Sequence, residues 1–210
     1  ETIASNKINQ AIADALSSNG ERKFVETVEV AINLKDVDLQ NPQKRISAEV
    51  ALPHGRGRPA RVAVFAQGEM AVISKKVVDT VISPEQIDEL SENKRKARKL
   101  AGKFDFFVAE TGLMANIGKS LGVVLGPRGK MPRPIPPQAD IERIIKSLTN
   151  LVPVRSKDRP TFHVPIGNVK MSQEQLAENL ETILKRVESS LDRGYDNIAS
   201  VWVKTKLANQ

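Results

Sequence analysis

Residues 23–34 read KFVETVEVAINL, and their side chains alternate between apolar and polar types. The apolar side chains share one side of an extended chain: Val28, Val30, Ile32 and Leu34. The polar side chains share the other side: Thr27, Glu29 and Asn33. Alternation of this kind predicts a strand with one face in a core and the other in water. The stretch therefore predicts a sheet that helices cover on one face only.

The same pattern recurs at both ends of the chain. Three further stretches alternate: ISAEVAL (46–52), TFHVPI (161–166) and SVWVKTKL (200–207). Helical spacing of apolar residues predicts one amphipathic helix over 8–16, and a second follows the capping box of Ser172 and Gln175. Residues 1–55 and 151–210 thus predict an α+β open-faced sandwich, in which both helices cover one face of a four-stranded sheet.

The uncovered face of that sheet is predicted to carry polar and charged side chains from the first and last strands. These are Thr27, Glu29, Ser200, Lys204 and Lys206. Phe, Trp and Tyr make up only 4% of the chain, so a surface of many stacked bases is not expected.

Residues 56–150 predict a different architecture, a small α/β domain with a parallel sheet. Continuous apolar runs indicate buried strands at RVAVFA (61–66), TVIS (80–83) and FDFFVAET (104–111). A long polar helix is predicted from Pro84 to about Leu100, and another helix over residues 141–148. GPRGKMPRPIPP (126–137) predicts an irregular loop with three cations, since seven of its twelve residues are Gly or Pro.

The charge of the chain predicts a polyanionic partner, with nucleic acid first. The formal net charge is +7, and the two terminal segments together are neutral, so the excess falls in residues 56–150. On charge alone, nucleic acid would bind there. The run KRKARK (94–99) is either a solvated helix face or a non-specific phosphate contact. The absence of Cys excludes disulfides, thiolate catalysis and Cys-type zinc sites, and fits a cytoplasmic protein.

Enzyme chemistry has one candidate, a phosphate loop at Gly112–Ser120 that would bind a nucleotide. Five residues separate Gly112 from Gly118, whereas a phosphate loop has four between its glycines. His54 and His163 lie in no metal-binding or catalytic array, and a structural role is expected for both. We therefore predict no enzyme, no cofactor and no metal.

Several stretches, in this order and at fitting spacing, resemble the L1 family of large-subunit ribosomal proteins, of archaeal type. They are KFVETVEVAINL, ALPHGRG, TGLMANIGKSLGVVLGPRGKMP, FHVPIGN and SVWVK. The resemblance covers nearly the whole chain, and it implies a split domain of both termini with an inserted Rossmann-like, three-layer α/β domain.

The same resemblance implies a function. The protein would bind large-subunit ribosomal RNA at the side stalk, assist release of deacylated tRNA from the exit site, and repress translation of its own mRNA. It would be cytoplasmic, on the large ribosomal subunit, and a monomer off the ribosome, with no membrane partner.

The resemblance also implies an RNA site on the terminal domain. Matching motifs place it at Phe24, Thr27, Glu29, Gly167 and Ser200, to which the open face adds Lys204 and Lys206. The family continues its last strand into Thr-Met-Gly, where this chain has Lys206, Leu207 and Ala208. Secondary RNA contacts are predicted at Lys119, Arg128, Lys130 and Arg133, and a hinge at Gly55 and Asn150.

Overall fold

The computed structural model describes residues 5–17 and 25–206, and the chain is a mixed α/β protein with antiparallel and parallel sheets. The helices are α1 (Ser5–Ser17), α2 (Gly68–Ser74), α3 (Pro84–Glu92), α4 (Lys94–Lys103), α5 (Met114–Leu125), α6 (Ile141–Leu148) and α7 (Gln173–Ser189). The strands are β1 (Thr27–Leu34), β2 (Ser47–Ala51), β3 (Val62–Phe65), β4 (Thr80–Ile82), β5 (Phe106–Glu110), β6 (Arg133–Ile135), β7 (Leu151–Arg155), β8 (Thr161–Asn168) and β9 (Ile198–Lys206). In this part of the chain, no helix is both long and apolar enough to cross a membrane.

The backbone forms two compact units. The terminal unit comprises residues Glu1–Pro59 and Asn150–Gln210, and the inserted unit comprises Ala60–Thr149. These boundaries assign Arg56 and Arg58 to the terminal unit. Its formal net charge is therefore +2, and that of the inserted unit is +5.

The terminal unit contains an antiparallel sheet in the order β8–β1–β9, with β1 at the centre. Alternation sets its two faces. The inward side chains of β1 are almost fully buried and join one core with side chains of α1 and α7: Val28, Val30, Ile32 and Leu34. The long helix α7 starts as its sequence predicts, because Ser172 and Gln175 form the capping box.

The predicted four-stranded terminal sheet is wrong in one respect. β2 does not join the other three strands, but pairs antiparallel with β7, a strand that the sequence pattern did not predict. The reason is topological. The chain leaves the terminal unit after β2 and returns at β7, so these two stretches run side by side, and the Leu52 amide donates to the Asn150 carbonyl at 3.2 Å.

The inserted unit is built on a parallel sheet in the order β4–β3–β5–β6. Every residue of β3 and β5 is buried, as the continuous apolar runs predict. Phe107 lies at the centre of this core, with ring centroids 5.7 Å from Phe65 and 5.9 Å from Phe104.

Two predictions for the inserted unit are wrong. The single helix from Pro84 is two helices, because Asn93 leaves the helical conformation, and its side chain accepts from the Lys96 amide at 3.0 Å to cap α4. The loop 126–137 is not wholly irregular, because Arg133–Ile135 forms β6 beside β5. Pro134 is tolerated there because β6 is an edge strand.

Candidate nucleic-acid interface

The outward face of the β8–β1–β9 sheet is a grid of cross-strand rows, and we call it the open face. Each row holds one residue from β8, one from β1 and one from β9. The rows are Thr161–Asn33–Ser200, His163–Ala31–Trp202 and Pro165–Glu29–Lys204, with Asn168–Thr27–Lys206 at the end. The register therefore places Thr27, Glu29, Ser200, Lys204 and Lys206 on one surface.

Side-chain hydrogen bonds fix the first row. Thr161 Oγ1 donates to Asn33 Oδ1 at 2.5 Å, and Asn33 Nδ2 donates to Ser200 Oγ at 2.6 Å. Trp202 Nε1 also donates to Ser200 Oγ, at 3.3 Å. A serine hydroxyl has two acceptor lone pairs and one donor proton. Because Ser200 already accepts twice, its hydroxyl is left to donate to a ligand.

The third row contains a nearly buried carboxylate, that of Glu29, with two basic side chains beside it. The Glu29 side chain is only 9% exposed, and its Oε1 lies 3.3 Å from Lys204 Nζ and 3.7 Å from His163 Nδ1. A buried carboxylate without a cation would be costly. Glu29 therefore positions the half-exposed Lys204 rather than presenting its own charge to a ligand.

A basic groove of about 540 Å³ adjoins the last row of the open face. Its walls are formed by residues from four separate segments: Val25, Thr27, Arg56, Gly57, Arg58, Pro165, Gly167, Asn168, Lys170 and Lys206. Four of these side chains are cationic, and none of the described residues that line the groove is acidic. The groove is thus suited to a phosphate backbone.

Two glycines allow the walls of the basic groove to approach each other. A Cβ on Gly57, whose φ is +86°, would lie 2.9 Å from the Asn168 amide nitrogen. Asn168 Nδ2 donates to the Gly57 carbonyl at 3.0 Å and closes this contact. Gly167 is buried, and a Cβ there would lie 2.5 Å from Met171 Sδ. Gly167 therefore contributes backbone to the groove, while core side chains occupy the space beside it.

A buried amide anchors the segment that carries Arg56 and Arg58. Asn179 of α7 is fully buried, and its Nδ2 donates to the Gly55 carbonyl at 2.9 Å and to the Ile166 carbonyl at 2.8 Å. Its Oδ1 accepts from the His54 amide at 3.1 Å. Of the two residues predicted as a hinge, Gly55 is thus hydrogen-bonded within the terminal unit. The other, Asn150, lies at the point where the chain re-enters that unit.

The structure describes the positions of most, but not all, of the residues predicted for the RNA site. Thr27, Glu29, Ser200, Lys204 and Lys206 share the open face, and Gly167 lies at its end in the basic groove. Phe24, Leu207 and Ala208 lie outside the described residues.

The residues predicted as secondary RNA contacts lie in the inserted unit, and three of them have intramolecular partners. Lys130 Nζ donates to the Ala101 and Phe104 carbonyls at 2.7 and 2.8 Å, and Arg128 Nη1 donates to the Val124 carbonyl at 2.9 Å. The Arg133 guanidinium stacks 5.6 Å from the Phe106 ring centroid. Lys119 is exposed on α5, and Arg128 also keeps an exposed side chain.

The nucleotide-binding alternative fails on local structure. Gly118, Lys119 and Ser120 lie inside α5, so their amides belong to the helix and cannot surround a phosphate. His54 Nε2 pairs with Glu178 Oε2 at 2.5 Å, which is a surface contact between the loop after β2 and helix α7. Among the described residues, no group of three or more His, Asp or Glu side chains could hold a metal ion.

Sequence reasoning did not predict every residue of the candidate interface. Arg56, Arg58, Asn168 and Lys170 were not predicted, although all four line the basic groove. The alternating glycines and arginines of GRGR (55–58) were the available signal, since a glycine between cations permits close backbone approach.

Comparison with known proteins gives one family and many relatives. The family model described as "Ribosomal protein L1p/L10e family" matches residues 15–207. The chain is 50% identical over 201 residues to the large ribosomal subunit protein uL1 of Methanothrix thermoacetophila, covering 95% of both chains. It is 48% identical to the Archaeoglobus fulgidus uL1 (96% of this chain, 94% of that one) and 46% identical to the Thermoplasma acidophilum uL1 (97% and 94%).

Proposed function

The chain belongs to the ribosomal protein L1p/L10e family, and from that premise we propose that it binds large-subunit ribosomal RNA through the open face and the basic groove. It is a structural ribosomal protein and not an enzyme. The observation that carries the proposal is the continuity of these two surfaces: Lys206 and Thr27 belong to both. We place the protein at the side stalk of the large subunit, in the cytoplasm.

The two surfaces have complementary roles in this proposal. The three exposed cations of the basic groove, Arg58, Lys170 and Lys206, hold the RNA backbone, whereas Arg56 is buried and donates to the Leu151 carbonyl at 3.0 Å. Such backbone contacts position a protein on RNA without reading its sequence. The Ser200 hydroxyl, held by Asn33 and Trp202, donates to an RNA acceptor such as a 2′-oxygen or a base carbonyl. Selectivity therefore comes from the open face, and Lys204 adds a phosphate contact beside it.

Competition binding tests this proposal. The chain is incubated with labelled large-subunit ribosomal RNA and excess small-subunit ribosomal RNA. The triple variant Arg58→Gln, Lys170→Gln, Ser200→Ala should bind more than about tenfold more weakly. The matched control Lys185→Gln, Arg186→Gln alters exposed cations of α7 and should bind as the wild type does. Equal loss in both variants would contradict the assignment of the surface.

We also propose that the chain assists release of deacylated tRNA from the exit site, with secondary contacts at Lys119 and Arg128. Support comes from the family and from the net charge of +5 on the inserted unit, whose helix α4 is rich in exposed cations. Lys119→Gln with Arg128→Gln should slow tRNA departure from purified ribosomes that contain the variant, while its ribosomal RNA affinity stays unchanged.

Finally, we propose that the chain represses translation of its own mRNA and is a monomer off the ribosome. The open face and basic groove would bind a segment of the message that presents the same acceptors as the ribosomal RNA. Added protein should then reduce synthesis from its own message in a cell-free reaction, and the triple variant above should not. Light scattering of the free protein should give a mass near 23.1 kDa.

A further inference from the structure

We infer that Trp202 is a stacking platform for one unpaired nucleobase, with His163 as a second ring on the far side of Ala31. The inference deepens the proposed function and rests on it. Of the Phe, Tyr and Trp side chains in the part of the chain that the structure describes, only Trp202 is exposed, at 66%. An indole left in water at the centre of a polar sheet face has a large apolar surface to offer.

The cross-strand row explains why a base would fit beside this indole. Trp202 and His163 both pair with Ala31, so the two rings belong to β9 and β8, the strands on either side of β1 and its small Ala31 side chain. Neighbouring strands lie about 4.8 Å apart, so the backbones that carry the two rings are about 10 Å apart. Ala31 adds no bulk between them. A planar base can therefore approach the indole without meeting a large side chain from β1.

The indole is also held in place before a ligand arrives. Its Nε1 donates to Ser200 Oγ at 3.3 Å, and Ser200 is in turn fixed by Asn33. Restraining the ring lowers the entropy lost when a base stacks on it.

Its neighbours on β9 complete the site for a nucleotide rather than for an apolar ligand. Ser200 lies two residues before Trp202 and has a donor proton, and Lys204 lies two residues after it and carries a charge. Successive outward residues of a strand are about 7 Å apart. A nucleotide stacked on Trp202 would thus have a hydrogen-bond donor on one side and a cation for its phosphate on the other.

The only tryptophan of the chain reports directly on this contact. The probes are single-stranded RNA octamers of adenosine or uridine, and an abasic ribose-phosphate octamer of the same charge. We expect the octamers with bases to quench the fluorescence of the full chain and the abasic octamer to leave it unchanged. Equal fluorescence with all three probes would overturn the inference, as expected if Trp202 instead contacts another protein.

Variants test the affinity. With an end-labelled adenosine octamer, Trp202→Leu should bind about 5- to 100-fold more weakly, whereas Trp202→Phe, which keeps a ring, should stay within about threefold of the wild type. His163→Ala should lose less than Trp202→Leu. The control Val123→Ala changes an exposed apolar residue of the inserted unit and should have no effect.

The affinity for large-subunit ribosomal RNA, measured in parallel, separates the two proposals. If that RNA binds tightly, loses affinity in the triple variant, and is indifferent to Trp202→Leu, the stacking platform is wrong and the proposed function stands. If neither variant changes its affinity, the proposed function fails as well.

Discussion

Strands β5 and β9 show how differently the two units use a sheet. All five residues of β5 are buried, whereas the side chains of β9 alternate between the core side and an exposed side. The parallel sheet has neither face free along β5, and the terminal sheet leaves one face to water. The inserted unit has the larger charge, yet the terminal unit has the accessible sheet. Under the proposed function, a charge excess is a weaker guide to the specific site than an uncovered sheet face is.

Cations serve two uses in this chain, and the internal one occurs in the terminal unit as well, where Arg56 Nη1 donates to the Leu151 carbonyl at 3.0 Å. In the inserted unit, Lys130 and Arg128 donate to backbone carbonyls at 2.7–2.9 Å and so stabilise the unit itself. In the terminal unit, Arg58, Lys170 and Lys206 surround a groove that a ligand can enter. The comparison makes four predictions.

Separating the units should have the largest effect. Residues 1–59 joined by a short linker to 150–210 should fold alone, because they hold a complete apolar core. They should bind large-subunit ribosomal RNA nearly as tightly as the whole chain, and residues 60–149 should bind it about 1,000-fold more weakly and without selectivity. Filter binding against competitor RNA measures both. Selective binding by 60–149 alone would reverse the comparison.

Removing the Ser200 hydroxyl tests the open face. Ser200→Ala should weaken RNA binding by about 2 kcal/mol, because an acceptor on the RNA would lose its donor. Ser200→Thr keeps a hydroxyl and should retain most of the affinity. Ser47→Ala, an exposed position on β2, is the matched control for loss of a serine hydroxyl in the same unit. Titration calorimetry would give all four affinities; equal values for Ser200→Ala and the wild type would contradict the role of this hydroxyl.

Removing the Lys130 ammonium tests the internal use of cations. Lys130→Met keeps the length of the side chain but leaves the Ala101 and Phe104 carbonyls without their donor. We expect the inserted unit to lose about 1–2 kcal/mol of unfolding free energy, measured on residues 60–149 by urea denaturation. The full-length variant should keep its affinity for large-subunit ribosomal RNA. A loss of affinity without a loss of stability would make Lys130 an RNA contact.

The smallest effect concerns salt. Three exposed cations line the basic groove and Lys204 lies beside it, so the logarithm of the binding constant should fall against the logarithm of salt concentration with a slope equivalent to about two to four phosphate contacts. Arg58→Gln should reduce that slope by about 0.7–0.9. Lys96→Gln, on the exposed face of α4, should leave the slope unchanged. A wild-type slope near ten would mean that charge dominates and that the site lies elsewhere.

Local patterns predicted much of this molecule because the signals are local. Alternation in residues 27–34 sets the two faces of β1, and the capping box of Ser172 and Gln175 marks the start of α7. The break at Asn93 escaped prediction because no Gly or Pro interrupts residues 85–101. β6 escaped because its pairing depends on β5, more than twenty residues away.

The candidate site was predictable only in part, for the same reason. Thr27, Glu29, Ser200, Lys204 and Lys206 follow from alternation together with the family resemblance. The basic groove forms where four distant segments meet, and its closure depends on the contact between Gly57 and Asn168. No periodic pattern in the sequence predicts that these four segments come together. The hydrogen-bond partners of Lys130 could not be predicted either, because they depend on how the end of α4 lies beside the loop that carries Lys130.

The position of β9 in the sheet also bears on whether copies of the free protein can associate through their strand edges. β9 is a nine-residue strand at the edge of the β8–β1–β9 sheet, and none of the described strands pairs with its outer side. Such an edge invites pairing with the edge of another copy and, from there, aggregation. Lys204 and Lys206 place two positive charges along this strand, and like charges would oppose each other when two such edges meet. Residues of the proposed binding surface would therefore also oppose self-association of the chain when no RNA is bound.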